Sequence, residues 1–137
     1  MNTRFIEPEL DNEPMLRRQI VELDSLFNKS PNCVAVLDPE LRYVRVNDAL
    51  ARFCGIPPES FAGRSVSELF PELTEDFVAR LHAVTETNKP LLDIELSLTG
   101  GGDEASSRYF LVHFYPLDAP QDESASVGMV MVDVTER

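Results

Sequence analysis

Hydrophobic residues recur at helical spacing in the segment that follows Pro14. They stand at positions i, i+4, i+7 and i+11, and so share one face of a helix: Leu16, Ile20, Leu23 and Phe27. Proline is favoured in the first turn of a helix, so Pro14 marks the expected start. A residue before proline disfavours helical conformation, so the helix is expected to end before Ser30-Pro31. We therefore predict an amphipathic helix over residues 14–28. The acidic stretch before it, residues 1–13, shows no such periodicity and is predicted to be a mobile arm.

The next elements predicted are short. Two β-branched runs, CVAVLD and LRYVRV, are separated by Pro39-Glu40 and are typical of a β-hairpin. Asn47 or Asp48 can cap the helix ALARFC, which Gly55 ends. Single-turn helices are expected at 57–61 and at 65–70, the second with the spacing of a capping box.

A longer helix is predicted from a Thr74 cap to about Asn88, with an inward stripe of Phe77, Leu81 and Val84. After Pro90 the hydrophobic period changes from helical spacing to alternation, which indicates a half-buried strand. Its inward residues are expected to be Leu92, Ile94, Leu96 and Leu98.

A turn at Gly100 to Asp103 leads into a strand that is apolar on both faces. One face carries Phe110, Val112 and Phe114, and the other carries Tyr109, Leu111, His113 and Tyr115. The last strand, VGMVMVDVT, is also apolar on both faces. Because such strands are usually covered on both sides, we expect it to lie in the middle of a sheet.

This order of elements, together with three local motifs, resembles PAS sensor domains. LFNKSPNCVAVLDPELRYVRVNDALARFCG resembles their opening, GRSVSELFP resembles the entry to their next helix, and DVTER resembles their terminal Asp-x-Thr motif. The resemblance implies an α+β fold over residues 29–137, with a five-stranded antiparallel sheet whose helices on one face enclose a small cavity. It also implies that Asp133 and Thr135 pass a signal to whatever follows.

The second face of the sheet is expected to be apolar and therefore to need a cover. The residues that leave it apolar include Tyr109, Leu111 and Tyr115. The helix at 14–28 can provide the cover in two ways. Either it folds back over its own sheet in a monomer, or its stripe of Leu16, Ile20, Leu23 and Phe27 packs on the sheet of a partner. We expect the homodimer.

Composition narrows the class of protein further. The chain of 137 residues has the length of one domain, and its 24 acidic and 12 basic side chains give a net charge of −12. That charge disfavours direct binding to nucleic acid or to an anionic membrane. The two cysteines are too few for a disulfide framework and no signal peptide opens the chain, so we expect a cytoplasmic protein.

No catalytic constellation is evident, and we do not expect an enzyme. His82 and His113 lie in no recognisable nucleophile motif, and sequences for cradling phosphate or binding zinc are missing. The run Gly101 to Glu104 resembles the start of a diguanylate cyclase signature, but Ala105 replaces its aromatic fifth residue. A hairpin tip is the better interpretation of this run.

No cofactor is predicted. Flavin-binding PAS relatives carry a reactive cysteine where this chain has the segment 61–65, and Cys54 and Cys33 are expected to be small buried hydrophobes. Haem-binding relatives use a histidine of the long helix, but the haem pattern places Phe77 or Val78 at that position rather than His82.

An apolar pocket for a small ligand remains open, against the alternative that the same side chains fill each other's space. The candidate lining residues are Val36, Phe53, Phe61, Phe70, Phe77, Leu81, Leu96, Phe110, Val112, Phe114, Met129 and Met131.

These observations favour a non-catalytic sensory and dimerisation module. We expect it to be a piece of a histidine kinase, a cyclic-nucleotide enzyme or a transcription regulator, coupled to an output domain after Arg137. The alternative is a constitutive scaffold that binds a protein partner and has no small-molecule ligand.

Overall fold

The computed structural model describes residues 13–100, 107–118 and 126–135. The predicted arm, apart from Glu13, lies outside these ranges, as do Gly101 to Asp103 of the predicted turn and most of the polar loop before the last strand.

The described elements follow the predicted order. In chain order they are α1 (Glu13–Lys29), β1 (Cys33–Leu37), β2 (Tyr43–Val46), α2 (Asp48–Cys54), a 3-10 turn (Pro58–Ser60), α3 (Val66–Leu69), α4 (Glu75–Thr87), β3 (Leu91–Thr99), β4 (Ser107–Leu117) and β5 (Ser126–Asp133). The predicted N-terminal helix differs from α1 by one residue at each end.

The five strands form one antiparallel sheet in the order β2-β1-β5-β4-β3. The last strand, β5, therefore lies at the centre, as its apolar faces predicted. The outer edge of β2 is not open, because the segment 63–66 runs beside it. The Tyr43 amide donates to the Arg64 carbonyl at 2.8 Å, and the Gly63 amide donates to the Tyr43 carbonyl at 3.1 Å.

Local capping interactions explain where the short helices begin and end. The Asn47 side chain caps α2, and Gly55 ends it in the left-handed conformation at φ 76°. Ser65 and Glu68 form the predicted capping box at α3. Thr74 accepts from the Phe77 amide at the start of α4.

The core lies between the sheet and the helices that follow β2. Its largest fully buried side chains include Tyr43, Phe61, Phe70 and Phe114. Gly100 permits a close approach, since a Cβ atom there would lie 2.2 Å from the Phe53 carbonyl oxygen. Glycine is therefore required at position 100 by its packing against Phe53, a reason that the predicted turn did not include.

Two predictions about strand faces are wrong. In β1 the buried residues are Cys33, Ala35 and Leu37, so Val36 points to the opposite face of the sheet from the core. In β3 a bulge interrupts the register between Leu91 and Ile94, and Leu92 is 46% exposed. Strict alternation placed Leu92 inward, but the extra residue of the bulge turns Leu91 inward instead.

Candidate functional site

The end of β5 is tied to the start of β4 by the Asp-x-Thr motif. The Asp133 carboxylate accepts from Arg108 Nε at 2.5 Å and from the amide and hydroxyl of Thr135 at 2.9 and 2.5 Å. The Thr135 hydroxyl oxygen accepts from the Tyr109 amide at 2.9 Å. We call these four residues the Asp133 latch, because they fix the direction in which the chain leaves the sheet.

The charge of Asp133 depends on this arrangement. Its partial burial works to raise its pKa, but hydrogen bonds from Thr135 and Arg108 outweigh that effect and lower the pKa below its ordinary value. The carboxylate is therefore ionised at neutral pH. The stabilisation that the carboxylate contributes to the fold is complete above the ordinary pKa of 3.8, and it is lost as pH falls from there through the lower pKa of the folded state.

The end of α1 is held by one buried side chain, Asn47, which is fully excluded from solvent. Its amide nitrogen donates to the carbonyls of Phe27 and Asn32, both at 2.9 Å. Its Oδ1 accepts from the amides of Val34 at 3.0 Å and Leu50 at 3.1 Å. The sequence predicted Asn47 as a possible cap of α2 but did not predict its attachment to α1, because the bonds to Phe27 and Asn32 join residues that are distant along the chain.

Arg45 adds a second attachment for α1. Its guanidinium forms an ion pair with Asp24 and lies 4.5 Å from the centre of the Phe27 ring. Arg45 and Asn47, which we call the α1 clasp, therefore connect the helix to β2 and α2. No sequence motif marked Arg45, since its partners lie 21 and 18 positions away.

The predicted apolar stripe of α1 is not covered by its own sheet. Leu16, Ile20 and Leu23 are 46%, 59% and 64% exposed, and only Phe27 is half-buried. The outer face of the sheet is also open, with Tyr109 and Tyr115 60% and 39% exposed and Leu111 half-buried. The alternative in which α1 folds back over its own sheet is therefore wrong for this chain.

Most of the predicted pocket residues are packed against one another. Nine of the twelve belong to a single cluster of buried side chains: Phe61, Phe70, Phe77, Leu81, Phe110, Val112, Phe114, Met129 and Met131. Phe53 and Leu96 are half-buried against that cluster, and Val36 lies on the other face of the sheet. Phe53 packs edge-on against Phe110 with 5.1 Å between the ring centres.

Burial keeps the two cysteine thiols and the Tyr43 hydroxyl protonated at neutral pH. Burial raises the pKa of Cys33 to about 11 and that of Cys54 to about 12. Burial also raises the pKa of Tyr43, whose hydroxyl finds no hydrogen-bond partner among the described residues. His82 is exposed on α4.

Neither a metal-binding cluster nor a membrane-spanning helix occurs in the described part of the chain. No group of three or more histidine, cysteine, aspartate or glutamate side chains is arranged to hold a metal ion within residues 13–100, 107–118 and 126–135. In the same ranges no helix is long and apolar enough to cross a membrane.

Comparison with known proteins identifies the fold. The family model described as PAS fold matches residues 27–137. The PAS domain of an HTR-like protein from Haloarcula marismortui is similar at a TM-score of 0.70 and 18% identity, covering 92% of this chain and 100% of its own. No curated protein sequence matches the chain.

Two further solved structures come from signalling proteins. A domain of the sensory box sensor histidine kinase/response regulator from Geobacter sulfurreducens is similar at a TM-score of 0.65 and 18% identity, covering 86% of this chain and 96% of its own. The PAS domain from Bordetella pertussis BvgS is similar at a TM-score of 0.62 and 21% identity, covering 88% and 89%. Sequence identities this low show a shared fold alone.

Proposed function

The chain belongs to the PAS family of sensory signalling domains, and from that premise we propose that it is the input module of a larger signalling protein. In this role it catalyses no reaction itself and has no resident cofactor. A small ligand or a protein contact favours one arrangement of the sheet and its flanking segments, and the chain leaving β5 transmits that change to an output domain. A histidine kinase is the favoured output, because the Geobacter relative is named as one.

The observation that carries this proposal is the Asp133 latch. Its hydrogen bonds join the exit of β5 to the first residues of β4, so a movement between these strands must change the direction of the exit. The α1 clasp connects the N-terminal flanking helix to β2 and α2 through the side chains of Arg45 and Asn47. Both flanking segments are thus joined to the sheet by side chains rather than by backbone continuity alone.

We also infer that the module is a homodimer. The stripe of Leu16, Ile20, Leu23 and Phe27 on α1 and the outer face around Tyr109, Leu111 and Tyr115 are two exposed apolar surfaces of one chain. Large exposed apolar surfaces of this kind mark interaction sites. A second copy of the chain can cover both surfaces at once. In such a symmetric pair, the α1 stripe of each protomer packs on the outer sheet face of its partner.

The test of the latch is a fusion of this chain to a reporter histidine kinase. Asp133→Ala removes the acceptor for Arg108 and Thr135, and we expect it to change basal kinase output or the response to signal by several-fold. Glu86→Ala, which removes an exposed carboxylate on α4, is the matched control and should leave output unchanged. Identical output from the Asp133→Ala and unmodified fusions would reject the proposed role of the latch.

A constitutive scaffold remains the second candidate. The observation in its favour is that nine of the predicted pocket residues belong to one cluster of buried side chains, since protein interiors are normally filled by their own side chains. A small molecule that co-purifies with the folded chain, or that raises its melting temperature, would exclude the scaffold.

A further inference from the structure

A groove of about 300 Å³ lies at the edge of the core, where α2 faces the ends of β1, β4 and β5. Its lining is apolar except for three charged side chains. The apolar part consists of Pro31, Cys33, Ala49, Phe53, Phe110 and Met131. The charged residues are Arg52 on α2 and the Arg108 and Asp133 pair of the latch.

The charges at this groove do not balance. Arg108 and Asp133 form an ion pair with each other, with 2.5 Å between Nε and Oδ2. Arg52 is exposed and forms no hydrogen bond or ion pair with any residue in the described ranges. Both Arg52 and Asp133 act electrostatically on the Cys33 thiol, which places the two charges beside the same wall. The groove therefore carries one surplus positive charge in a chain whose net charge is −12.

We propose that this groove binds a small amphipathic monocarboxylate, with its carboxylate on Arg52 and its hydrocarbon part against Phe53, Phe110 and Met131. The chemistry of the lining supports this choice of ligand. Guanidinium groups pair with carboxylates through charge-assisted hydrogen bonds, and the volume matches the lower end of small-molecule sites. A ligand of higher negative charge would be repelled more strongly by the acidic chain.

The position of the groove links binding to the latch. A carboxylate in the groove lies beside Arg108 as well as Arg52, so it competes with Asp133 for the Arg108 guanidinium. Weakening that pair frees the exit of β5. This inference rests on the proposed sensory function, because it identifies what the input module detects.

Octanoate is a suitable probe, tested by isothermal titration calorimetry on the full chain. We expect saturable binding at one site per chain, accompanied by a rise in melting temperature. Octanol, which has the same hydrocarbon chain without the charge, should not saturate the site. Arg52→Gln should weaken octanoate binding about tenfold or more, because a charge-assisted hydrogen bond is lost. Arg52→Lys should retain part of the affinity.

Two further variants complete the test. Arg80→Gln removes an exposed arginine of α4 that does not line the groove, and it should bind octanoate like the unmodified chain. Asp133→Asn removes the competitor for Arg108 and should tighten octanoate binding several-fold, which a purely structural role of Asp133 would not do. The melting temperature of each variant without octanoate checks that it folds.

The groove proposal fails if octanoate does not bind, if octanol binds equally well, or if Arg52→Gln binds octanoate as tightly as the unmodified chain. Unchanged affinity in Asp133→Asn would overturn the link to the latch. These outcomes are separate from the proposed function, which the kinase fusion tests without octanoate. A fusion whose output changes in Asp133→Ala, in a chain that does not bind octanoate, removes the groove proposal alone. Saturable octanoate binding together with identical output from the Asp133→Ala and unmodified fusions removes the signalling role of the latch.

Discussion

Asn47 shows how much of this fold depends on one polar side chain. It is fully buried, and each of its four hydrogen bonds ends on a different backbone group. A buried amide whose donors and acceptor are all satisfied stabilises the fold, but its removal leaves each partner without a hydrogen bond.

We expect Asn47→Ala to lower the free energy of unfolding by about 2–4 kcal/mol, since four backbone groups, one buried and three partly buried, lose their partners together. Thr74→Ala is the control, because it removes a single capping bond, from the Phe77 amide, and should cost about 1 kcal/mol. Urea denaturation measures both values. Equal costs for the two variants would show that the bonds to Phe27 and Asn32 contribute nothing.

The two thiols provide a test of burial that needs no mutation. With pKa values of about 11 for Cys33 and about 12 for Cys54, neither thiol is ionised near pH 8, and we expect a thiol reagent to modify them only after denaturation. Rapid modification of either cysteine in the native protein would contradict the described burial.

The raised pKa values of Cys33 and Cys54 make the stability of the fold depend on pH above pH 9. Because their folded pKa values are raised above the ordinary value of 9.0, their contribution is complete below pH 9 and is lost as pH rises towards about 11 to 12. Thermal unfolding between pH 8 and pH 11 should therefore show a falling melting temperature, and the fall should be smaller in a Cys33→Ala/Cys54→Ala variant.

The alternation pattern correctly predicted which residues of β1 lie on the same face. It did not predict which of the two faces is buried. Cys33, Ala35 and Leu37 alternate with Val34 and Val36, and both sets are apolar, so hydrophobicity alone could not decide between them. The choice of Val36 for the core was wrong for that reason. Asn47 was predicted as a cap from local spacing, but its bonds to α1 depend on tertiary structure that local patterns do not contain.

Among the elements, the edge strand β3 departs furthest from an ideal pattern. Asp93 adopts a left-handed conformation at φ 59° in the bulge, and its amide donates to His113 Nδ1 at 3.1 Å. Bulges of this kind twist an edge strand and hinder unwanted pairing with other chains. Alternation predicted the strand correctly, but nothing in LLDIELSLT marks the position of the extra residue.

The bulge gives a paired prediction within one strand. Asp93→Val should lower the free energy of unfolding by about 1–2 kcal/mol, because a β-branched residue is strained in the left-handed region. Glu95→Val replaces another exposed acid of β3, outside the bulge, where valine favours strand structure and should cost nothing. Equal melting temperatures for the two variants would contradict the described conformation at Asp93.

Helix α1 was predicted correctly as an element, and the sequence led us to expect that it covers the sheet of a partner. Its periodicity predicted the stripe of Leu16, Ile20, Leu23 and Phe27, and the structure places that stripe away from the chain's own sheet. The spacing of apolar residues shows which face of a helix is apolar. It does not show against which surface that face packs. The α1 clasp explains the placement, since Arg45 and Asn47 hold the helix at its C-terminal end.

At the scale of the whole molecule, two exposed apolar surfaces lie on a highly acidic domain. A net charge of −12 opposes nonspecific association, so an apolar stripe that stays exposed in the single chain is expected to serve a specific contact. The order of elements and three local motifs carried the resemblance that implied the five-stranded sheet, and the two apolar faces of the last strand predicted its central position. These patterns could not establish how many copies of the chain assemble, because that depends on surfaces that only the folded domain brings together.

Native mass spectrometry of the full chain tests the dimeric sensory module most directly. We predict a dimer for the unmodified chain, a monomer for Leu23→Glu on the stripe, and a dimer for Val21→Glu, an equally exposed position on another face of α1. The exposed fractions of 64% and 63% make the two substitutions a matched pair. A monomer for the unmodified chain across the accessible concentrations, or a dimer that Leu23→Glu leaves intact, would contradict this account.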